Sequence, residues 1–235
     1  MEKRLIVAVT HGRSDETVDK DIGCDRLMTE YGVERYRAEV APLITDRSLL
    51  LVEGTNRGLV SPDHKLYDNW HRTHAFWLGG TRPAFASFDL RATSKEEDRE
   101  IGRRYRFWDS TARRLFLVRE EPPSSMSEAV ERLRRDGPPT LFLLDRPTAE
   151  EVEVAKWILS TSRKFDLPYV QAFRRKWDRF DRVVFFGGAV HALSIALKTG
   201  LPLVDLSEPG EAAETYYEYL ADYHWSKFIT GRDFA

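Results

Sequence analysis

Three residues able to take or give a proton stand where apolar runs of this chain stop. Arg4–Thr10 (RLIVAVT) leads into His11-Gly12, Ser48–Val52 (SLLLV) into Glu53-Gly54, and Arg182–Phe186 (RVVFF) into Gly187-Gly188-Ala189-Val190-His191. A histidine serves near neutral pH as a general base or a metal ligand, and Gly12 beside His11 lets backbone approach a bound molecule closely. Glu53 ends a buried strand and needs a partner, because an unpaired buried charge is costly; Arg57, a little further on, is the candidate. His191 falls in the first turn of a helical pattern. There the helix terminus favours its neutral form, while the amides of Gly187 and Gly188 favour an anionic or oxyanionic group.

Further residues carry a weaker version of the same argument. Asp89, just ahead of Arg91, is another carboxylate near a strand end. Arg175, in the run Arg174-Arg175-Lys176, could turn inward as an anion clamp. His71 and His74 are close enough to share one helix face as metal ligands, although Trp70 and Trp77 equally suit a packing face. Each site residue also has a structural explanation as a turn histidine, a turn carboxylate or a tight glycine turn.

The elements that must position these residues follow from the apolar pattern. Continuous apolar runs suit strands buried on both faces of a central, mostly parallel or mixed sheet with helices on both sides, the α/β class. In such sheets the crevice beyond the strand carboxyl ends receives the ligand. The spacing predicts a helix over about Arg26–Ile44, then an irregular, lid-like stretch over about 54–82 with a helix inside it at Asp68–Leu78. Pro83–Leu90 reads as a strand, and a capping box at Ser94–Glu97 opens a helix to about Arg119. A short helix over Ser124–Asp136 and a strand over Thr140–Leu144 come next. A second capping box, Thr148–Glu151, opens a helix to about Lys164, and Pro168–Phe180 reads as a separate helix. A strand over Leu201–Leu206 and an aromatic-rich helix over Glu211–Phe228 close the chain. Neither repeat nor linker divides the pattern, so one domain is expected.

Composition narrows the classes. The chain has 235 residues, 42% hydrophobic and 31% charged, which suits one globular domain with a sizeable core. A formal net charge of −2 argues against a nucleic-acid partner. The lone Cys24 excludes an intramolecular disulfide and a cysteine-based zinc site. No apolar run has the length of a membrane span, and Met1–Thr10 lacks the apolar region of a signal peptide. A cytoplasmic protein acting on a small-molecule or peptide substrate, without a membrane partner and with homo-oligomers allowed, is the expectation.

Taken in order, Ala8-Val9-Thr10-His11-Gly12, Leu51-Val52-Glu53, Phe88-Asp89-Leu90-Arg91 and Gly188-Ala189-Val190-His191 resemble the motifs of the TraB/Tiki superfamily, which includes erythromycin-esterase-like and ChaN-like proteins. Ala8 stands where that pattern usually has glycine, whereas Arg57 matches the arginine beyond the strand-two glutamate. The resemblance implies an α/β hydrolase with a site of His11, Glu53 and His191, supported by Arg57 and Asp89. In it Glu53 or His11 activates water, and His191 with the Gly187 and Gly188 amides stabilises developing negative charge. It also implies that a divalent metal ion, where one is used, is held by His11, Glu53 and His191. Two alternatives stand beside it. One is a non-catalytic binding protein using the same crevice. The other is a histidine-phosphatase-like enzyme, since Thr10-His11-Gly12-Arg13-Ser14 resembles that family's Arg-His-Gly start with Thr10 in place of the arginine.

Overall fold

The computed structural model describes residues 3–9, 30–53, 58–68, 71, 78, 80–90, 99–100, 103–104, 116–117, 120–140, 142–143, 145–207 and 210–230. Its centre is a six-stranded sheet of order β3-β4-β2-β7-β1-β8. The strands are β1 (Arg4–Val9), β2 (Ser48–Val52), β3 (Gly58–Val60), β4 (Ala84–Ser87), β7 (Arg182–Gly188) and β8 (Leu203–Asp205). The pairs β4–β2, β2–β7, β7–β1 and β1–β8 are parallel, and only the edge strand β3 runs antiparallel, against β4. The sheet is therefore mixed and dominated by parallel pairs, in the α/β class that the apolar runs predict.

Both faces are buried, which is why these strands read as unbroken apolar runs. Alternation in β1 sends Ile6 and Ala8 to one face and Leu5, Val7 and Val9 to the other; β2 divides Leu49 and Leu51 from Leu50 and Val52 in the same way. The first face packs beneath four helices: α2 (Met126–Asp136), α3 (Ala149–Arg174), α4 (Ala189–Thr199) and α5 (Glu211–Thr230). The second packs beneath Tyr36, Val40, Ile44, Tyr67 and Leu78. Among the described residues no helix is long and apolar enough to cross a membrane.

Several elements differ from the expectation. The helix expected over 26–44 is described from α1 (Glu30–Arg35) onward. It widens into a π turn at Tyr36–Val40 and tightens into a 3-10 turn at Ala41–Leu43, where Pro42 sits at the start and its missing N–H costs nothing. The stretch over 54–82 is not wholly irregular, because it contributes β3 to the sheet; residues 67, 68, 71 and 78 within it are helical. The strand expected at 140–144 is not in the central sheet. Its β6 (Phe142–Leu143) pairs antiparallel with β5 (Phe116–Leu117), which lies inside the span expected to be helix. A short apolar run carries no record of which sheet it joins.

The most consequential difference is α3. A break was expected between Lys164 and Pro168, yet one helix of 26 residues runs through Pro168. Its start matches the sequence, since Thr148 and Glu151 form the expected capping box. Proline removes one intrahelical hydrogen bond, but burial of Phe165, Tyr169, Val170 and Phe173 against the sheet holds the helix on either side of it.

Candidate functional site

The sheet order marks out one set of strand ends. The connection after β1 leads to β2 on one side, and that after β7 leads to β8 on the other. Strands β1 and β7 stay paired to Val9 and Gly188, and the segments that follow them pack on opposite faces of the sheet, the topology beside which ligands bind in parallel sheets. Register brings the relevant residues level: Val52 pairs with Phe186, and Val9 with Gly188.

Glu53 leaves β2 at this edge and reaches across to β7, where Oε1 accepts a hydrogen bond of 2.8 Å from the Gly188 N–H. Gly188 is the N-cap of α4, so the carboxylate closes the electropositive end of that helix. Gly187 makes this approach possible. A Cβ there would overlap the Phe185 ring and lie 2.9 Å from Glu53 Oε1, inside van der Waals contact with both. The glycine pair thus serves the Glu53 carboxylate, and the Gly188 amide is engaged by it. The partner expected for Glu53 was Arg57, which lies outside the described residues, as do His11, Gly12 and His74.

His191 occupies the first turn of α4, the helix that Glu53 caps. Its Nδ1 lies 2.9 Å from Asp166 Oδ1, and its ring packs on Phe165 with centroids 4.0 Å apart. The side chain is 14% exposed, against 2% for Asp166. Asp166 Oδ2 accepts from Ser194 Oγ at 2.5 Å and from Lys198 Nζ at 3.4 Å. Burial alone would push the Asp166 carboxyl up. The hydrogen bond and charge of His191, with Lys198 and Ser194, outweigh it and hold the group below the ordinary carboxylate value. Serine, histidine and aspartate are all present, but their wiring is not that of a serine nucleophile. Ser194 is buried and donates to the carboxylate, not to the imidazole.

Tyr169, one turn beyond Asp166 on α3, ties the neighbouring strand ends together. Its hydroxyl donates to the Val52 carbonyl at 2.6 Å and accepts from the Phe88 N–H at 3.3 Å. Burial pushes this hydroxyl well above the ordinary tyrosine value; bonds to Ser87 and Phe88 offset part of the rise, and the charges of Asp89 and Glu53 add to it. It therefore remains a neutral donor. Asp89 and Glu53 are thus near enough for their charges to act on this hydroxyl, and Asp89 is half-buried.

Arg175 has a different setting. Its carbonyl accepts from Arg4, the first residue of β1, and its exposed guanidinium lies 5.5 Å from the centre of the Phe88 ring. His71 stacks on Tyr67 and its Nε2 lies 3.1 Å from the Thr81 carbonyl, a packing role. Among the described residues no three His, Cys, Asp or Glu side chains come together as a cation site.

Asp166, Ser194, Lys198 and Tyr169 are absent from the sequence-derived site. Two signals were available: Ser194 and Lys198 follow His191 at helical spacing, and Asp166 adjoins the apolar stripe of Phe165, Tyr169 and Phe173. Comparison of the chain with protein-family models, with curated proteins and with solved structures found no match.

Proposed function

We propose that the chain is a hydrolase of the TraB/Tiki and erythromycin-esterase-like type, acting on a small-molecule or peptide substrate at the carboxyl ends of β2 and β7. His191 takes a proton from the attacking water, and Glu53 binds and orients the water or a polar hydrogen of the substrate. Asp89 borders the same site. The observation that supports this reading is the Glu53–Gly188 hydrogen bond, which fixes a carboxylate to the N-cap of the helix carrying His191. That bond spans 135 positions of sequence and brings the carboxylate to the start of the helix whose first turn holds the histidine.

A panel of ester, amide and peptide substrates tests the proposal, read on the wild type, Glu53→Gln and His191→Gln. Glu53→Gln keeps the side-chain shape and an acceptor oxygen for the Gly188 amide but loses the charge. Each variant is expected to lose on the order of 10²–10⁴-fold in kcat/KM. Unchanged turnover in both variants, or no turnover by the wild type on any member of the panel, sinks the hydrolase reading.

A further inference from the structure

We propose that Asp166 is a positioning residue that fixes His191 with its proton on Nδ1 and its lone pair on Nε2. The inference builds on the reading of His191 as a base, but its geometry stands separately. Oδ1 of Asp166 meets only His191 among the described contacts, whereas Oδ2 takes both the Ser194 hydroxyl and the Lys198 ammonium. His191, Ser194 and Lys198 lie on one stripe of α4, facing Asp166 on α3. Two donors on one oxygen set the plane of the carboxylate and aim the other oxygen at the imidazole. A carboxylate can only accept here, so Nδ1 must be the donor. Phe165 packs on the ring face and resists a ring flip.

This division of labour makes Asp166 more than a satisfied buried charge. Ser194 and Lys198 alone supply two partners for the carboxylate, and one of them carries the compensating charge. The His191 bond adds direction to the ring, as hydrogen-bonded carboxylates do for metal-bound and catalytic histidines elsewhere. With Nδ1 protonated, Nε2 is the nitrogen able to take a proton from water.

The same wiring predicts what Asp166→Asn does. The Lys198 ammonium can only donate toward that position and the Ser194 hydroxyl donates there too, so the amide oxygen of the asparagine stays on their side. The amide NH2 must then face His191, whose Nδ1 becomes an acceptor and whose proton moves to Nε2. Long-range proton–nitrogen correlation spectra of the full chain labelled with ¹⁵N-histidine, at a pH where imidazole is neutral, read this directly. His191 is assigned by the signal that disappears in His191→Gln. The wild type is expected to show the Nδ1–H form, and Asp166→Asn the Nε2–H form. A wild type in the Nε2–H form overturns the proposal, as does a folded Asp166→Asn that keeps Nδ1–H. Should Asp166→Asn not fold, the wild-type spectrum decides alone. Because the spectra need no substrate, an inactive panel would overturn the hydrolase reading and leave this result standing.

Discussion

At the scale of single residues, the site depends on one close approach and one hydroxyl. Gly187 is required because a Cβ would intrude on both Phe185 and Glu53. Gly187→Ala is expected to cost about 1–3 kcal/mol through forced movement in a packed site, and to displace Glu53 from the Gly188 amide. Urea unfolding measures the first effect; a cost below about 0.5 kcal/mol would mean that the ring and carboxylate move aside freely. Tyr169 has a different kind of importance. Its hydroxyl is the donor to Val52, the residue from which Glu53 springs, and the acceptor for Phe88. Tyr169→Phe leaves a buried carbonyl and a partly buried N–H short of a partner, with an expected loss of about 1–3 kcal/mol in chemical denaturation. A near-neutral result would show that water replaces the hydroxyl at the strand ends.

At the scale of elements, α3 does most to organise the site, and it was the element least legible in the sequence. Pro168 reads as a helix breaker, so Asp166 and Tyr169 fell into an expected gap and at the edge of another helix. What overrode the local preference was burial of the stripe through Phe165, Tyr169 and Phe173, a tertiary effect that no local pattern records. The strand ends were legible for the opposite reason. A doubly buried strand needs an unbroken apolar run, so the positions where the runs stop at Glu53 and before His191 are visible in one dimension. The partners of those residues were not. Glu53 meets Gly188 and Tyr169 meets Val52 across 135 and 117 positions of sequence. The proline itself yields a prediction. Pro168→Ala restores an N–H in the helix interior and removes the ring clash, so the melting temperature should rise, with a gain of up to about 3 kcal/mol. A lower melting temperature would show that the proline shapes α3 to fit the sheet.

At the scale of the whole molecule, buried ionisable groups shape the dependence of stability on pH. Asp166 has a lower pKa folded than unfolded, so it adds stability above its unfolded value and loses it as pH falls through the folded one. This places its contribution in the acid limb below about pH 4. His224 acts nearer neutrality. Burial pushes its imidazole down, only partly offset by the Pro139 carbonyl 2.7 Å from Nε2, and Lys227 lowers it further. The unfolded chain therefore takes up that proton first, and stability should begin to fall as pH drops below about 6.5. Denaturation midpoints measured from pH 8 to 3 should show both declines, the upper one flattened in His224→Gln and the lower one in Asp166→Asn. A His224→Gln profile that overlays the wild type between about pH 6.5 and 5 would remove His224 from this account.

The place of β7 in the sheet has a consequence for how the chain comes into being. β7 lies between β2 and β1 and pairs with both, although it follows them far along the sequence, at Arg182–Gly188 against Ser48–Val52 for β2. As the polypeptide leaves the ribosome, β1 and β2 emerge before β7, apolar and each with the edge meant for β7 bare. Neither can satisfy the other, because they are not neighbours in the finished sheet. The nascent chain must keep those edges from pairing with other chains until the long stretch between β2 and β7 has been made, so correct assembly waits on β7. That strand also delivers the glycines and opens the helix of the site, so the middle of the sheet and the surroundings of Glu53 and His191 take shape together.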